Sequence, residues 1–134
     1  MSDKDTIIGT LHENYNVMLQ WVVALQHGNS MVEYLSRNGY KKIAVYGMND
    51  IGNCVVRELM SESEAELIYV IDQGDPKLYF DVECFRLDDI PKQNKPDIII
   101  VALPYLYEKL KDEIRNKTGC NTVSITEIVY EMDI

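Results

Sequence analysis

Apolar positions recur along this chain in two rhythms, a three-to-four-residue spacing and short unbroken runs, and their alternation predicts its elements. From about Leu11 to His27, side chains at Leu11, Tyr15, Met18, Val22 and Leu25 fall on one helical face. Val17, Trp21 and Ala24 add a second apolar stripe to the same segment. A helix apolar over that much of its circumference is covered on more than one side, by its own domain and by something further, which in a chain this small points to a second copy. Gly28 ends this helix, and Asn29 or Ser30 caps the next, which runs through Met31, Tyr34 and Leu35 to Asn38-Gly39. Ser30 followed by Glu33 has the capping-box spacing.

The second rhythm begins at Ile43-Ala44-Val45-Tyr46, read as a buried parallel strand. Val55, Val56, Leu59 and Met60 then line a helical face that breaks at Ser61-Glu62-Ser63-Glu64, and Leu67 to Ile71 forms a second strand. Gln73-Gly74-Asp75-Pro76 is loop chemistry. The pattern from Leu78 to Leu87 is ambiguous, with Val82 to Arg86 as a short third strand closed by Asp88-Asp89-Ile90-Pro91. After Lys95-Pro96-Asp97, Ile98 to Leu103 is the most strand-like run and is expected at the sheet centre. Pro104 stops it in the first turn of a helix from Tyr105 to about Lys117, ended by Thr118-Gly119. Thr122 to Ile125 is the fifth strand and Thr126 to Met132 a terminal helix. Strands alternating with helical patterns imply right-handed crossovers and a three-layer αβα fold around a parallel sheet.

The length of 134 residues fits one domain, divided into a helical extension over 1–40 and an α/β core over 41–134. It is short for an enzyme with separate cofactor and substrate domains. Thirteen basic against twenty-two acidic residues leave a formal charge of -9, which repels phosphate backbones and anionic lipid and argues against nucleic acid as a partner. The adjacent pair Lys41-Lys42 precedes a strand and reads as solvation of the sheet edge. Cys54, Cys84 and Cys120 suggest neither a disulfide framework nor a metal site, and a reducing cytoplasm is expected. The polar, acidic start Met1-Ser2-Asp3-Lys4-Asp5 is unlike a secretory leader, and no run reaches membrane-spanning length.

The turn Gly47-Met48-Asn49-Asp50-Ile51-Gly52 joins the first strand to its helix, and Asp72 follows Gly52 by twenty positions. A first glycine for the tight turn, a last one for helix packing and an acid after the second strand are what a dinucleotide-binding βαβ unit needs. On Gly47, Gly52 and Asp72 the chain resembles the Rossmann-like NAD(P)-binding superfamily across roughly Lys41 to Ile128. More narrowly, Lys42 to Gly52 is similar to small Rossmann domains of bacterial surface-polysaccharide systems, alone or fused to sugar-modifying enzymes, some of which bind nucleotide sugars.

The resemblance implies the strand order 3-2-1-4-5 and a ligand crevice between the first and fourth strands, formed by Gly47 to Gly52 and by Ala102, Leu103, Pro104 and Tyr105. It further implies that the amides of the turn and the helix start at Ile51 to Asn53 hold a diphosphate, while Asp72 accepts ribose hydroxyls. A carboxylate there, followed by uncharged Gln73, favours NAD over NADP, and a nucleotide sugar presents the same groups. A polysaccharide-pathway enzyme is the implied partner. Two positions depart from the pattern. Asn49 stands where the middle glycine lets a pyrophosphate approach. Asp50 either repels it, by roughly 3 kcal/mol at ~5 Å, or points away to cap a helix beginning at Ile51.

No catalytic residue is assigned. His12 and His27 belong to the first helix, and Tyr105-x-x-x-Lys109 has the spacing but not the position of a short-chain dehydrogenase pair. Cys54, near a helix start, reads as packing, and Asp88-Asp89 and Glu62/Glu64 as solvated loop charge. The expected function is a nucleotide-binding module; the alternative is a Rossmann scaffold without ligand that serves as an interaction module through its amino-terminal helices.

Overall fold

The computed structural model describes residues 3–62, 64–74, 78–79 and 82–132. The expected break at Ser63 and the turn at Asp75 and Pro76 lie outside them. Helices α1 (Asp3–Gln26) and α2 (Met31–Arg37) precede strand β1 (Lys42–Tyr46). Helix α3 (Asp50–Met60), β2 (Glu66–Ile71), β3 (Leu78–Tyr79), β4 (Val82–Phe85) and β5 (Ile98–Val101) follow. Helix α4 (Tyr107–Thr118), β6 (Thr122–Ser124) and α5 (Ile125–Glu131) complete the chain order.

Five strands pair in parallel in the order β4-β2-β1-β5-β6, which is the expected 3-2-1-4-5 arrangement of a Rossmann-like αβα fold. β1 is central, with Ile43 opposite Leu67 on one side and Ile98 on the other. The short β3, which the ambiguous pattern after Leu78 did not predict, adds an antiparallel edge to β4. Alternate strand residues face opposite layers. Ile43, Val45, Val70, Ile98 and Ile100 share one core with α1, α2, α3 and α5. Ala44, Tyr46, Tyr69, Ile99 and Val101 face Ile114 of α4 and Leu87.

The first helix is longer than the apolar spacing alone predicts, beginning at Asp3 rather than near Leu11. Asp3 and Asp5 suit the positive end of the helix dipole. Gly9, a poor helix former, is needed inside α1 because a Cβ there would lie 2.2 Å from the Tyr105 ring. Of the two apolar stripes, Val17, Trp21 and Ala24 are the ones that enter the core. Glu58 on α3 ties this layer together, accepting from the Trp21 indole nitrogen at 2.8 Å and from the Met31 amide at 2.7 Å. Val17, Trp21, Ala24, Met31, Val32, Tyr34 and Leu35 of these two helices thus belong to the same core as the sheet.

Candidate functional site

The crevice is built from the end of β1 outward. Gly47 has φ +97°, a conformation open to glycine, and its amide donates to the Ile71 carbonyl at 2.8 Å. At Gly52 a Cβ would sit 1.9 Å from the Gly47 carbonyl oxygen, so this position brings α3 against the turn. Both glycines therefore serve the geometry for which the motif selects them.

Asn49 gives the site its character. It is the N-cap of α3, with Oδ1 accepting from the Gly52 amide at 2.7 Å, while Nδ2 donates to the Ala102 carbonyl at 3.0 Å. Its own carbonyl accepts from the Asn53 side chain. The side chain therefore occupies the amino end of α3 and ties the β1 turn to the residue that follows β5. Helix α3 begins at Asp50, not Ile51, and the cap is Asn49; Asp50 is exposed in the first turn. The alternative in which Asp50 caps the helix is corrected accordingly: Asn49 has the extended backbone and the amide bond of an N-cap.

Asp72 lies at the carboxyl end of β2, half-buried, with Oδ2 accepting from the Met48 amide at 3.1 Å and Oδ1 from the Gly74 amide at 3.0 Å. The Oε1 of Gln73 accepts from the Leu87 amide at 2.9 Å. Tyr46, Gly47, Met48, Asn49, Asp72, Gln73 and Leu103 enclose an open hollow of about 260 Å³ at the switch in strand order.

Comparison with models of known families, with curated proteins and with solved structures returned no match.

Of the positions expected to bind, Gly47, Met48, Asn49, Asp72 and Leu103 meet at the hollow. Gly52 is buried beneath it, and Ile51, 2% exposed, belongs to the core. Ala102 contributes its carbonyl to Asn49, and Pro104 opens a short 3-10 turn (Pro104–Leu106) that carries Tyr105 against Gly9 of α1. Tyr105 and Lys109 are not among the residues lining the hollow, nor are His12, His27 and Cys54. The structure adds Tyr46 and Gln73 to the site, each the direct sequence neighbour of an expected residue, Gly47 and Asp72. Burial, with Glu113 and Asp72 nearby, pushes the Tyr46 phenol up from its ordinary value, so it is neutral at pH 7 and available for hydrogen bonding. No lining residue is basic, and the Gly47, Met48 and Gly52 amides already donate to Ile71, Asp72 and Asn49. Among the described residues no group of three His, Cys, Asp or Glu side chains is arranged to hold a metal, and no helix is long and apolar enough to cross a membrane.

Proposed function

We propose that the crevice binds the nucleoside part of a nucleotide, NAD or a nucleotide sugar, and that the chain acts as a binding module and is not catalytic alone. The observation that carries this reading is Asp72 at the end of β2, with its carboxylate in the wall of the hollow. A carboxylate has about four acceptor positions. The Met48 and Gly74 amides use one on each oxygen, leaving capacity for both hydroxyls of a ribose. The volume of about 260 Å³ is near the lower end for small-molecule sites, suiting a nucleoside better than a whole dinucleotide. Service in the cytoplasm beside surface-polysaccharide enzymes belongs to the same proposal, supported by three free cysteines and the similarity of the turn.

A second reading, a scaffold that has lost its ligand, is favoured by one observation: the Asn49 side chain, through two hydrogen bonds, occupies the helix end that the nucleotide reading reserves for a diphosphate. Isothermal titration with NAD and UDP-sugars separates the two. The nucleotide reading expects weak binding by the native chain, about tenfold tighter binding by Asn49→Gly and about tenfold weaker binding by Asp72→Asn. Absence of heat from both the native chain and Asn49→Gly at millimolar ligand would leave the scaffold.

A further inference from the structure

Helix α1 turns its inner stripe to the core and leaves the outer one uncovered. Ile8, Leu11, Tyr15, Met18, Val22 and Leu25 follow the alternating three- and four-residue spacing of a coiled-coil seam. Met18 is half-buried and the other five are exposed, Leu11 by 64% and Tyr15 by 66%. Ile7 and Leu19, also exposed, flank the seam. We propose that this face is covered by α1 of a second copy, packed antiparallel about a twofold axis.

Charge is the first reason. The chain carries -9, yet from Thr6 to His27 its only formally charged residue is Glu13. Two copies that repel elsewhere can therefore meet along this helix without opposing like charges. Antiparallel pairing also keeps the acidic starts of the two helices, Asp3 and Asp5, at opposite ends. A membrane surface is the poorer fit, since interfacial helices are rich in Lys and Arg and α1 has Lys4 alone.

Area and shape agree. The exposed seam and its flanks offer on the order of 700 Å² per copy, or about 1,400 Å² for the pair, within the range of specific interfaces. An apolar hollow of about 360 Å³, lined by Met18, Trp21, Val22, Leu25, Cys54 and Glu58, lies beside the seam. Antiparallel layering sets Ile8 opposite Leu25, Leu11 opposite Val22 and Tyr15 opposite Met18, so each Tyr15 ring enters the hollow of the other copy. Aromatic anchors seated in pockets carry much of the energy in such contacts.

The inference does not depend on the nucleotide reading, and its test needs no ligand. Light scattering on the native chain is expected to give twice the 15.5 kDa chain mass. Leu11→Glu, an exposed change, is expected to give monomer with unaltered helical circular dichroism. Adding Val22→Lys to Leu11→Glu restores the dimer, because antiparallel layering sets the new charges opposite one another. A monomeric native chain, on its own or recovered on phosphatidylserine vesicles, overturns the proposal, as does a Leu11→Glu variant that stays dimeric. A double variant that stays monomeric while folded overturns the antiparallel register. Should the variants not fold, maleimide labelling of native Cys54 in the hollow is expected to accelerate on dilution, and a rate independent of protein concentration counts against the dimer.

Discussion

Asn49 shows how one side chain sets local stability and site access against each other. Replacing it with glycine removes the tether to Ala102 and the cap on Gly52, an expected loss of about 1 kcal/mol, while clearing the helix end for a diphosphate. Stability and NAD affinity are thus expected to move in opposite directions in that variant. Tyr69 is a contrasting residue. Its ring meets Phe85 edge-on at 5.5 Å, its hydroxyl is buried with no hydrogen-bond partner among the described residues, and burial, with Cys120 nearby, pushes the phenol up to about 12. Tyr69→Phe keeps the ring contact and removes an unsatisfied group, so urea unfolding is expected to show equal or greater stability, by up to about 1 kcal/mol. A loss of that size would mean the hydroxyl has a partner after all.

Elements were legible in the sequence wherever their cause is local. The β-branched runs at Ile43 and Ile98, the glycine pair of the turn and the left-handed end of α4 at Gly119 (φ +70°) announce themselves within a few residues. The start of α1 did not, because Gly9 argues against a helix until Tyr105, ninety-six positions later, is seen against it. The inner stripe of α1 was equally hidden: both stripes have helical spacing, and only packing through Trp21 and Glu58 selects one. For the same reason the acceptor of the Asn49 side chain could not be read from its neighbours. Glu58→Ala strands the Trp21 indole and the Met31 amide together, with an expected loss of roughly 2 kcal/mol and a smaller one for Glu58→Gln. Trp21 fluorescence during denaturation reports both, and a loss below about 0.5 kcal/mol for Glu58→Ala would remove this residue as the tie between the helices.

Across the whole molecule, Asp97 fastens the start of β1 to the entry of β5. Its Oδ2 accepts from the Lys41 amide at 2.9 Å and the Lys42 amide at 3.0 Å. The bond from Lys42, then that from Lys41, holds the carboxyl below its ordinary value of 3.8. A depressed folded value means that the contribution is complete well above 3.8 and is lost as the pH falls through the folded value. Stability measured from about pH 6 to pH 2 is expected to decline less steeply in Asp97→Asn, and an identical slope would show that this carboxylate contributes no linkage. The sheet it anchors also sets an order of events during synthesis. β1 meets its second neighbour only when Ile98, fifty-five positions after Ile43, has been made. A nascent chain leaving the ribosome therefore carries the open edge of its most central strand until β5 arrives. That interval is when neighbouring nascent chains are most exposed to pairing with one another in the wrong way.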